Sequence, residues 1–131
     1  LSKIHFKLSL MKKLLFILSV TAIALFSVDR LTTHLYAPNK NSNIVVIYTT
    51  EWCPYCKTLR ETLNKYQIPY FERDTEKSLH GIAGYWALRG RGVPISLIGS
   101  EVIHGYDGQI ITDALVGAGY EISADWPTDK P

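Results

Sequence analysis

The chain has 131 residues, two cysteines and a formal charge of +2 at pH 7. That length leaves room for one small domain and no second core. The charge does not make a nucleic-acid face: Lys3, Lys7, Lys12 and Lys13 precede a hydrophobic leader, and beyond Asn39 acidic residues slightly outnumber basic ones.

Residues 1–39 read as a targeting segment. Lys12-Lys13 form a positive flank, and Leu14 to Val28 is an uncharged run ended by Asp29-Arg30. A membrane span takes about 20 apolar residues, so this shorter run suits a signal peptide. Its cleavage signal is poor, because Leu35-Tyr36-Ala37 offers one small residue and Pro38 follows it. A cleaved signal peptide and an uncleaved anchor both fit. A buried core helix does not, since the run is apolar on all sides. Positive charge ahead of the segment predicts its N-terminus inside and the domain outside. The expected location is the bacterial periplasm, or the periplasmic face of the inner membrane with residues 14–28 embedded if uncleaved. The cytoplasm is the alternative. Met11 is expected to be the true start, with residues 1–10 untranslated; a peptide from 1–10 in the native protein would refute this.

Residues 38–43 are polar and turn-rich and read as a linker. Ile44 to Thr49 is a β-branched, apolar run, expected to form a buried strand. A helix is expected over about 54–66, with Leu59, Leu63 and Tyr66 on one face. Ile68-Pro69 breaks it, and Tyr70 to Arg73 reads as a second strand. Asp74 or Thr75 is expected to cap the next helix. That helix should run to about Arg89, with Leu79, Ile82, Ala83, Trp86 and Ala87 inward, and end at Gly90-Arg91-Gly92. Ile95–Ile98 and Glu101–His104, joined at Gly99-Ser100, read as a hairpin. Gln109 to about Val116 is a last helix. The order β-α-β-α-β-β-α predicts an α/β fold with a right-handed, parallel first unit. The domain is expected over 40–119, with 120–131 a flexible tail.

The two cysteines occur as Glu51-Trp52-Cys53-Pro54-Tyr55-Cys56-Lys57, at the turn from the first strand into the first helix of the domain. Pro54 suits the first helical position, where a missing N–H costs nothing. Cys53 then sits at the helix N-terminus, where free N–H groups and the helix dipole favour thiolate over thiol. The thiolate is the nucleophile of thiol chemistry. A purely structural disulfide is a poor reading, because so small a loop constrains the unfolded chain little. A zinc site needs four ligands, and His80 and His104 lack the spacing to complete one. A dithiol–disulfide redox centre fits best, with no metal.

Tyr48 to Lys57, then Gly92-Val93-Pro94, then Gly105-Tyr106-Asp107, together resemble the glutaredoxin family, and within it the small bacterial glutaredoxin-like redoxins. The resemblance covers about residues 44–118. It implies a thioredoxin-like fold with a four-stranded mixed sheet and three helices, beside the N-terminal hydrophobic helix. It implies a cis Val93–Pro94 bond facing the active site, which a strand-opening proline alone would not. It further implies that Cys53 and Cys56 are catalytic, that Val93 pairs through its backbone with a bound peptide or glutathione, that Tyr55 flanks the bound thiol, and that Tyr106 and Asp107 hold the γ-glutamyl end of glutathione. Glutathione would be a thiol co-substrate, with no cofactor bound, and the partners would be disulfide-containing proteins or glutathione, met by a monomer. The sequence departs from the family at Thr50, where a Lys is common, at Gly92, where Thr is usual, and at Gly108, where an acidic residue often follows the Asp. Arg89 or Arg91 could replace the missing cation. The competing reading is a non-catalytic metal, iron–sulfur or thiol-binding module at the membrane; Cys56 and Pro54 argue against the iron–sulfur form.

Overall fold

The computed structural model describes residues 2–36 and 43–128. The expected cleavage point near Ala37, most of the linker over 38–43 and the last residues of the tail lie outside them. The chain divides into two compact units, Leu1–Leu35 and Tyr36–Pro131.

The first unit is one helix, α1 (Ser2–Tyr36). Every side chain described along it, from residue 5 to 31, is exposed. Its stretch His5–Leu31, 27 residues, rises about 40 Å at 1.5 Å per residue. That exceeds the ~30 Å hydrocarbon core of a bilayer. The helix therefore extends past both charged flanks of the 14–28 run. Thr21 and Ser27 turn their hydroxyls back onto the carbonyls of Leu18 and Ile23, at 2.9 Å each. This satisfies the two hydroxyls within the helix, as an apolar medium requires.

The second unit carries β1 (Val45–Thr49), α2 (Pro54–Lys65), β2 (Tyr70–Asp74), α3 (Leu79–Ala87), β3 (Ile95–Ile98), β4 (Glu101–His104) and α4 (Gly108–Gly117). The sheet order is β2-β1-β3-β4. β1 runs parallel to β2, with Val45 opposite Tyr70, and antiparallel to β3, with Tyr48 opposite Ile95. The hairpin adds β4 at the far edge. This is the expected thioredoxin-like arrangement, with three helices around a mixed four-stranded sheet.

Period-two alternation divides the core between the faces of the sheet. Val45, Ile47, Ile98 and Ile103 face α2 and α4, where Leu59, Leu63, Ile111 and Leu115 cover them. Tyr48, Ile95 and Leu97 face the other way, against Tyr85 and Leu88 at the end of α3. α2 ends where Gln67 takes φ 57° and the Ile68 N–H returns 2.9 Å to the Leu63 carbonyl, a common helix stop.

α3 differs from the sequence reading in start and in face. Asp74 does not cap a helix. Its Oδ1 accepts from the N–H groups of Glu76 (2.8 Å) and Lys77 (2.7 Å), forming a turn. Ser78 is the actual cap, accepting from the Gly81 N–H at 3.3 Å. The inward face is Gly81 and Gly84, while Leu79 and Trp86 are 84% and 71% exposed. The physical reason is close approach. A Cβ at Gly81 would overlap the Asp74 carbonyl, and one at Gly84 would overlap the Tyr48 ring.

Residues 120–128 lie against the domain. Trp126 is 5% exposed and its ring sits 4.8 Å from that of Tyr66. Tyr66 Oη donates to the Asp125 carbonyl at 2.6 Å. The expectation of a flexible tail took no account of this aromatic anchor.

Candidate active site

The site begins where β1 ends. Thr75 donates to the Thr49 carbonyl through its N–H (2.9 Å) and its hydroxyl (3.2 Å). This ties the Asp74 turn to the segment leading into Cys53. Cys53 caps α2 in extended conformation, φ −78° and ψ 117°, with Pro54 beginning the helix. The Cys53 carbonyl accepts the first helical bond from the Lys57 N–H at 3.1 Å. Its Sγ accepts from the Cys56 N–H at 3.2 Å. The sulfur thus takes the place a Ser or Asp oxygen holds at an ordinary N-cap.

Cys53 and Cys56 are joined as a disulfide, with Cα atoms 5.2 Å apart. Cys56 is fully buried and Cys53 is 4% exposed. Opposite them, the Val93 carbonyl oxygen lies 3.6 Å from Cys53 Sγ. The Val93–Pro94 bond is cis, as the family resemblance implied. The Pro94 carbonyl accepts from the Gly105 N–H at 2.8 Å, which joins the segment before β3 to the end of β4.

A groove of about 550 Å³ opens beside Cys53. Of the expected site residues, Cys53, Tyr55 and Val93 line it together, beside Pro54, while Cys56 and Pro94 do not. Tyr106 and Asp107 lie outside it. Tyr106 is 7% exposed and belongs to the core under α2 and α4. Asp107 caps α4, its Oδ1 accepting from the Ile110 N–H at 3.1 Å. A second groove of about 500 Å³ shares Gly92 and Val93 and is lined by Arg89, Arg91 and His104. A third, of about 520 Å³, lies between the β3–β4 turn and α4 and holds no cysteine. Size does not separate the three; the reactive sulfurs do.

The sequence reading missed Glu76, Tyr85 and Trp86 as groove residues. Trp52 (70% exposed) donates its Nε1–H to both Glu76 carboxylate oxygens, at 3.0 and 3.2 Å. Lys77 pairs with Glu51 just outside. That contact holds the Glu51 carboxyl below its ordinary range and the Lys77 ammonium above its own. Asp74 is likewise lowered, first by the Glu76 N–H and then by the Lys77 N–H. Helical spacing places Trp86 in the core, yet it is exposed and lines the groove. The spacing of Gly81 and Gly84 carried the contrary signal: a small-residue stripe packs inward and turns the large residues out. Among the described residues, no group of three or more His, Cys, Asp or Glu side chains is arranged to hold a metal.

Residues 45–103 match the family model described as glutaredoxin. Among solved structures, the chain is similar to a wheat glutaredoxin at 18% identity, covering 70% of this chain and 92% of that one, with a TM-score of 0.51. It is similar to a mutated buckwheat glutaredoxin at 22% identity, covering 75% and 92%, with a TM-score of 0.50. It is also similar to the holo form of glutaredoxin C1 from Populus tremula x tremuloides at 20% identity, covering 80% and 97%, with a TM-score of 0.52. At these identities the structural likeness is one of fold. A search of curated protein sequences finds no match.

Proposed function

We propose a reaction course for this chain on the premise that its folded domain belongs to the glutaredoxin family and is a thiol–disulfide oxidoreductase. Cys53 is the attacking thiolate and Cys56 the resolving thiol, acting on protein disulfides or glutathione mixed disulfides. The observation that carries this is the placement of Cys53 as the cap of α2, its sulfur accepting the Cys56 N–H and bonded to the Cys56 sulfur. A sulfur so placed faces the positive end of a helix dipole, which favours its anionic form.

In the reducing direction, Cys53 thiolate attacks one sulfur of the partner disulfide. The partner S–S bond breaks, and its other sulfur leaves as a thiolate that takes a proton from water. Cys56 then releases its proton and attacks Cys53 Sγ. The mixed disulfide breaks, and the second partner thiolate leaves and is protonated. Two electrons and two protons pass from the dithiol to the partner. A reducing thiol reverses the steps on the enzyme and restores the dithiol. Cys53 lines the groove and Cys56 does not, which keeps Cys56 from competing for the partner.

For glutathione, Val93 would pair through its backbone, Tyr55 would lie over the bound thiol, and Asp107 with the loop fixed by the Tyr106 ring would meet the γ-glutamyl end. Pro94 shapes the approach to Cys53. Arg89 and Arg91, which line the groove sharing Val93, stand in for the cation that Thr50 does not supply. The helix α1 is compatible with a signal or an anchor; we place the domain on the periplasmic side. A reporter fused at residue 131 and active only in the periplasm tests this placement, and silence with the protein in the soluble cytoplasm would reject it.

The chemical reading is tested by turnover of a small neutral disulfide, bis(2-hydroxyethyl) disulfide, with glutathione as reductant. Cys53→Ser should lose all exchange, while Cys56→Ser should keep a monothiol reaction. Activity in Cys53→Ser and none in Cys56→Ser would reverse the assignment.

A further inference from the structure

We propose that the groove beside Cys53 selects polypeptide disulfides flanked by bulky apolar and cationic side chains, in preference to glutathione disulfide. The inference rests on the thiol–disulfide reading above and narrows its substrate.

Two observations carry it. First, the groove is walled by large exposed aromatics: Trp52 at 70%, Trp86 at 71% and Tyr55 at 46% exposure. Aromatic surface left in water at a reactive centre gains by covering a partner's apolar side chains. A tripeptide with one small thiol side chain offers little such surface. Second, the charge in the groove is acidic. Glu76 is fixed there by its two-oxygen contact with the Trp52 indole, and among the described lining residues there is no Lys or Arg. Lys77, the next residue, is engaged by Glu51. The glycine carboxylate of glutathione can suit the Arg89 and Arg91 groove, whereas the groove beside Cys53 offers the Glu76 carboxylate and no cation. A lysine or arginine beside the partner's cysteine meets an opposite charge.

The electron balance is that of the proposed exchange; only the partner is specified. The test uses the full chain, reduced, in detergent micelles. Its oxidation is followed by acid quench and mass spectrometry with three disulfides. One is the dimer of Lys-Phe-Cys-Phe-Lys, one is the dimer of Glu-Ser-Cys-Ser-Glu, and one is glutathione disulfide. Each rate constant is divided by that of free dithiothreitol with the same disulfide, which removes the probe's own reactivity. The Lys-Phe dimer should be preferred over glutathione disulfide by about tenfold or more. Glu76→Lys should cut that preference at least about fivefold, the effect of roughly 1 kcal/mol between charges near 4 Å in water. Trp86→Ala should cut it as well, through lost apolar cover. Equal or faster reaction of glutathione disulfide, or a preference unmoved by both variants, overturns the inference. Exchange that persists in Cys53→Ser would instead overturn the reading beneath it, so the two failures are distinguishable.

Discussion

The two faces of the sheet are built to different ends. Under α2 and α4 the face is thick: Leu59, Leu63, Ile111, Leu115 and Trp126 close over Val45, Ile47, Ile98 and Ile103. Under α3 the buried set is Tyr48, Ile95 and Leu97, and the helix rests on the sheet through two glycines. The first face is a core closed by large side chains. The second trades side-chain volume for close backbone approach, which sends Trp86 outward to the cysteine groove. The thick core lies on one side and the cysteine groove on the other, and the cap at Cys53 joins them, because α2 belongs to the first and its N-terminus opens on the second.

Substitutions at paired positions sharpen this contrast. Leu63→Ala, in the thick face, should cost about 2–5 kcal/mol, measured by urea unfolding of the full chain in detergent. Trp86→Ala should stay within about 0.5 kcal/mol in the same assay. A similar loss at both would break the comparison. Gly84→Ala forces a methyl group into the Tyr48 ring and should cost about 1–3 kcal/mol; an unchanged midpoint would mean that α3 stands off the sheet. Asp107→Ala removes the cap of α4 and should cost about 1 kcal/mol, again read from the unfolding midpoint.

The smallest effect is a pH dependence on the thin face. Asp74 is held below its ordinary value of 3.8 by the Glu76 and Lys77 N–H groups. A carboxyl lowered on folding adds stability that is fully present above its unfolded value and lost as pH falls through its folded one. The gap in unfolding midpoint between the native chain and Asp74→Ala should therefore hold above about pH 4 and close in stronger acid. A gap that widens in acid would contradict the turn.

The strands, the order of elements and the cysteine turn were legible in the sequence, because β-branched runs, Pro54 and the Cys-x-x-Cys spacing are local signals. The resemblance supplied the cis Val93–Pro94 bond. α3 was misread because hydrophobic periodicity assumes that large residues point inward. At Gly81 and Gly84 the contact is made by the absence of a side chain, and the Asp74 turn took the residues assigned to the first helical turn. The Trp52–Glu76 pair spans 24 positions, and Tyr66 meets Asp125 across 59. No local pattern announces such contacts, so neither the groove wall nor the anchored segment around Trp126 was foreseen.

The central claim is that Cys53, at the cap of α2, is the sulfur that partners meet first. It is tested most directly by mixing reduced Cys56→Ser protein with a peptide disulfide, quenching in acid and mapping the bridge by mass spectrometry. The account predicts a stable mixed disulfide between Cys53 and the peptide. Failure of Cys53 to form that bridge, while the reduced Cys53→Ser protein forms one at Cys56, would contradict it.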